Sequence, residues 1–70
     1  MIDDHTRMQA NDEVALLSAI AQTELTAKKA ELYQGLAQEE EVRKFFQVRA
    51  AMMKKVTNDL RKMLDKIGGG

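Results

Sequence analysis

Apolar residues recur at helical spacing along most of this chain, and they fall into two runs separated by a short acidic stretch. With residues placed at about 100° each, Val14, Leu17, Ile20, Ala21, Leu25, Ala27, Leu32 and Leu36 gather on one side of a helix. The pattern loosens at Leu36-Ala37-Gln38. Beyond Glu39-Glu40-Glu41 a second stripe begins: Val42, Phe45, Phe46, Met53, Val56, Leu60, Met63, Leu64 and Ile67. Asn11 is a suitable cap for the first helix, with Asp12 and Glu13 at the positive end of its dipole. The three glutamates suit the start of the second helix, and Lys62, Lys66 and Gly68 suit its end.

The expected architecture is all-α. It is a two-helix antiparallel hairpin over residues 11–67, with helix 1 at about 12–38 and helix 2 at about 40–67. Residues 1–10 carry no period and read as a flexible arm; residues 68–70 read as a flexible glycine tail. The turn holds no Pro, Gly or Asn, so one continuous helix that swaps its second half with a partner chain is the rival topology.

Chain length changes the picture. Seventy residues form one structural unit and bury little apolar surface. With no Cys and a single His, neither a disulfide nor a multi-histidine zinc site can supplement that core. Self-association is the remaining source of burial, so two hairpins are expected to dimerise into a four-helix bundle. The expected interface comprises Leu17, Ile20, Leu25, Leu32, Phe45, Phe46, Met53, Val56, Leu60, Met63 and Leu64.

Charges inside the stripes add a register. Glu24, Lys28 and Glu31 fall on the apolar arc of helix 1, and Arg49 on that of helix 2. Folding the chain at about Gln38–Glu41 sets Ile20 abreast of Leu60, Leu17 abreast of Met63 and Gly35 abreast of Phe45. The same register sets Glu31 opposite Arg49, which predicts a partly buried ion pair. Such a pair fixes register more than it stabilises, because desolvation offsets most of the attraction.

Candidate chemistry is sparse. Glu24 and Glu31 are weak metal candidates, since di-iron bundles also need a Glu-x-x-His motif that this chain lacks. His5 beside Asp3 and Asp4 reads as a solvated segment. No histidine base stands near Thr23, Thr26 or Thr57, and no phosphate loop is present. The reading is therefore of a protein that is not an enzyme and takes no cofactor.

From Val42 to Ile67 there are eight basic and two acidic residues, a possible footprint for an anionic partner. The chain as a whole is neutral and lacks interleaved aromatics, which argues against nucleic acid. No apolar run is long enough to span a membrane, and residues 1–5 lack the core of a signal peptide, so the cytoplasm is the expected location.

The segments Glu31-Leu32-Tyr33-Gln34-Gly35-Leu36-Ala37 and Glu41-Val42-Arg43-Lys44-Phe45-Phe46 resemble the helix–turn–helix of ferritin-like proteins. The size is similar to small hairpin proteins of spore-forming bacteria and to half of a spore-coat F-type domain. The resemblance implies a hairpin that dimerises into a bundle, and a role in sporulation. It also implies that Glu24 or Glu31 matches the first-helix glutamate of a ferritin-like metal site, although the missing Glu-x-x-His speaks against iron chemistry.

The functional expectation is a non-catalytic structural or interaction protein acting as a homo-oligomeric bundle. One alternative is an adaptor or small chaperone that holds another helical protein through its Met/Phe stripe. A degenerate ferritin-like metal-binding protein is the other.

Overall fold

The computed structural model describes the backbone of residues 4–69 and the side-chain surroundings of residues 10–68. Two helices, α1 (Asp4–Leu36) and α2 (Glu40–Leu64), run antiparallel, and a π-helical turn, Asp65–Gly69, extends α2. Among the described residues there is no strand. The molecule is a rod of 57 × 18 × 13 Å. At about 1.5 Å per residue, the 33 residues of α1 account for most of that length.

The helices end close to where the pattern predicts, with one correction. Helix α1 begins at Asp4, so Asp4–Ala10 is helical where the sequence suggests an arm. Those residues lack an apolar period, but Arg7, Met8, Gln9 and Ala10 are good helix formers that can extend a helix already nucleated downstream. The predicted tail is helical as far as Gly69. Gly68 sits close to α1, because a Cβ there would stand 3.3 Å from the Glu13 carboxylate.

A three-residue turn, Ala37–Glu39, reverses the chain. It is held by hydrogen bonds instead of by turn residues. The Ala37 N–H donates to the Tyr33 carbonyl at 2.9 Å, and the Arg43 N–H donates to the Glu39 carbonyl at 3.0 Å. The Arg43 guanidinium reaches back to donate to the Ala37 carbonyl at 3.1 Å, and it also pairs with Glu40 at 3.6 Å. The last turn of α1 has no basic residue of its own. Arg43 supplies the missing cation from the first turn of α2, and Glu40 and Glu41 suit the positive end of α2.

Between the helices the buried positions, with a set of half-buried ones, follow a heptad rhythm. On α1 they are Leu16, Ile20, Thr23, Ala27, Ala30 and Gln34. On α2 they are Phe46, Ala50, Met53, Thr57, Leu60, Leu64 and then Ile67 in the π turn. Steps of four and three alternate throughout, as in a left-handed coiled coil. The register is the expected one. The Thr23 and Thr57 hydroxyls meet at 2.6 Å, and the Tyr33 and Phe46 ring centroids lie 5.3 Å apart.

The rotational phase differs from expectation. Among the described residues only Ile20, Ala27, Ala30, Ala50 and Thr57 are buried. Small side chains therefore line the middle of the seam, Phe46, Met53, Leu60 and Leu64 are half-buried along it, and many other large apolar residues are turned outward. Of the expected interface, Ile20 is buried and Phe46, Met53, Leu60 and Leu64 are half-buried, whereas Leu17, Leu25, Leu32, Phe45, Val56 and Met63 are exposed. Gly35 does not make room for Phe45, because a Cβ at that position would meet nothing within 4 Å.

At mid-seam the two threonines form a local polar relay. Thr57 Oγ1 lies 2.9 Å from the Met53 carbonyl, and Thr23 Oγ1 lies 3.1 Å from the Ile20 carbonyl. One hydroxyl can donate across the seam while the other donates to its own helix, so Thr57 is buried at little cost.

Candidate functional site

The seam divides the rod into two long edges of opposite character. Along one edge the Arg61 guanidinium donates to the Glu24 carboxylate, and Lys54 pairs with Glu31. The groove there is lined by Glu24, Ala27, Lys28, Glu31, Lys54, Thr57, Asn58 and Arg61. These pairs follow from heptad geometry. Glu24 and Glu31 are one heptad apart on the same flank of α1, and Lys54 and Arg61 are one heptad apart on the facing flank of α2.

This arrangement corrects the expected Glu31–Arg49 pair. Glu31 is held by Lys54 and is exposed. Arg49 lies on the opposite edge, in a groove with Thr26, Lys29, Ala30, Tyr33, Phe45 and Phe46. With small residues in the seam, α1 is turned so that Glu31 and Arg49 emerge on different sides.

The same pairs occupy the two metal candidates. Glu24 and Glu31 each carry a cation from α2, and among the described residues no three acidic or histidine side chains cluster. The His5 side chain and Asp3 lie outside the described residues.

The second edge is apolar. Tyr33, Phe46 and Phe45 form a stacked run, with Phe45 and Phe46 meeting edge-on at 5.2 Å. Beyond it α2 exposes Met52, Val56 and Met63, and Met63 borders a groove with Asp12, Ala15, Leu16, Lys66 and Ile67. Phe45 is 60% exposed and Met63 52%. Lys29, Arg49 and Lys66 border this edge.

A further set of apolar residues lies on α1 away from α2. Val14, Leu25, Leu32 and Leu36 are exposed, Val14 and Leu36 by about two thirds. Helix α1 is therefore apolar on two opposed faces. Sequence reasoning merged these faces because it ranked residues by size and hydrophobicity. The heptad of small residues at Thr23, Ala27 and Ala30 was the available signal.

In total, twelve large apolar side chains are exposed among the described residues. No helix among them is long and apolar enough to cross a membrane. Compared with protein-family models, with curated proteins and with solved structures, the chain matches none.

Proposed function

We propose that this chain is a non-catalytic interaction protein whose hairpin is one half of a homo-oligomeric helical bundle. The observation that carries the reading is the mismatch between seam and surface. Among the described residues the buried set is Ile20, three alanines and Thr57, while leucines, methionines and a phenylalanine face outward, each large side chain worth about 1.5–3 kcal/mol if buried. The exposed area is 5729 Å², about 1,300 Å² more than the ~4,400 Å² expected of a globular chain of this mass. So many exposed large apolar side chains in a small chain mark an interaction face.

The cytoplasm is the setting this reading takes, and the ferritin-like resemblance adds the expectation of a role in sporulation. The heptad carboxylates support the reading too, since both are used to tie α1 to α2.

Light scattering and circular dichroism over one dilution series test the proposal. A mass of two or more chains, with helicity that falls as the assembly dissociates, is the expected result. A fully helical monomer at every concentration would overturn it. A poorly helical monomer would move the reading to an adaptor that folds on another protein's amphipathic helix, with Phe45, Met52 and Met63 as its exposed anchors.

A further inference from the structure

The apolar edge of α2 has an internal symmetry. Its exposed positions Phe45, Arg49, Met52, Val56, Asp59 and Met63 step by four, three, four, three and four. This rhythm reads the same in both directions. About Lys54, Met52 and Val56 are each two residues away, Arg49 and Asp59 each five, and Phe45 and Met63 each nine. A cation and an anion thus stand at mirror positions in a stripe whose other four members are apolar. Both charges are exposed, and neither has an ion-pair partner among the described residues.

We propose that a second copy of this chain docks on that edge end for end, α2 against α2. Phe45 then lies abreast of the second copy's Met63, Met52 abreast of its Val56, and Arg49 abreast of its Asp59. Two-fold symmetry makes each of these contacts occur twice, as a self-complementary interface requires. The phase is also right for antiparallel helices, since each rung joins an a-type to a d-type heptad position. This inference deepens the proposed self-association and rests on it. An unrelated partner would need no mirror relation between Arg49 and Asp59; a second copy does. Opposite charges that meet only in this register select it against slipped alternatives. The neighbouring wall of α1 is low at Ala15 and Thr26, which leaves the α2 stripe accessible to a helix laid along it.

Charge reversal tests the arrangement through its own symmetry. In Arg49→Asp every interchain rung of this kind becomes acid against acid, and in Asp59→Arg it becomes base against base. Each single variant should dimerise at least tenfold more weakly than wild type. Mixed one to one, the two variants restore both pairs, so dimer mass should return as a heterodimer; the double variant should recover it as a homodimer. Sedimentation of the four samples, with helicity followed in parallel, reads the outcome.

If wild type associates but the single variants associate equally well, or the mixture stays monomeric, this arrangement is wrong and self-association stands. A monomeric wild type would sink both. Oxidative crosslinking gives an independent readout, because the chain has no cysteine of its own. Arg49→Cys copies should crosslink to Asp59→Cys copies and not to one another, and the reverse preference would overturn the proposal.

Discussion

The two edges of the hairpin are built from the same heptad rhythm and do opposite things. On one, Glu24 and Glu31 meet Arg61 and Lys54, so each α1 carboxylate is answered within the chain. On the other, Phe45, Met52, Val56 and Met63 stand exposed beside Arg49 and Asp59, and neither charge has an ion-pair partner among the described residues. The difference teaches where the free energy lies. Exposed ion pairs contribute about 0.2–1 kcal/mol each and weaken with salt. Burying one large apolar side chain contributes about 1.5–3 kcal/mol. The paired edge contributes little, and the open edge holds most of the stabilisation that the proposed self-association would gain.

Four sets of substitutions break or sharpen this contrast. The largest effect belongs to the open edge: replacing Phe45 and Met63 together by Ser should weaken self-association by about 3 kcal/mol or more, roughly 100-fold, since both side chains lose their burial. Sedimentation equilibrium measures this, and the loss should be insensitive to salt. Between the edges, Ala50→Leu overfills a position where even the alanine side chain is buried. Destabilisation of about 1–3 kcal/mol is expected, read as a lower thermal midpoint.

Thr57→Val removes one member of the hydroxyl relay and should cost about 1 kcal/mol, whereas Thr23→Val with Thr57→Val should cost less than the single change. Urea titration of the three variants separates these cases. Smallest of all, Glu24→Gln or Glu31→Gln on the paired edge should cost less than about 1 kcal/mol. Raising the salt concentration should erase the difference from wild type, in contrast to the open edge.

Register was legible in the sequence and rotation was not. Ile20 abreast of Leu60 follows from where the acidic turn falls, and a fold at Gln38–Glu41 leaves little freedom in that choice. Which face of α1 turns inward depends on close packing. Hydrophobicity favours Leu17, Leu25 and Leu32, but antiparallel helices that approach closely select Thr23, Ala27 and Ala30. Because α1 is apolar on two opposed faces, its pattern alone does not decide between them.

The Glu31–Arg49 expectation failed for the same reason, as it assumed the wrong face. The turn was hidden for another reason. Its closure depends on the Arg43 side chain reaching the Ala37 carbonyl, a contact made in three dimensions that no turn residue announces.

The three-residue turn also has a consequence in time. Facing residues near it, such as Gln34 and Phe46, are close along the chain, while the far rungs are remote. The loop closed by Leu16 and Leu64 is about four times as long as that closed by Gln34 and Phe46, two doublings that cost about 1.2 kcal/mol in closure entropy. Zipping outward from the turn avoids even that cost, since each rung shortens the loop left for the next. Local order of this kind places hairpin formation among fast events, in microseconds to milliseconds. Joining the helices is then a matter for one chain alone, and under the proposed self-association concentration would govern only the later step.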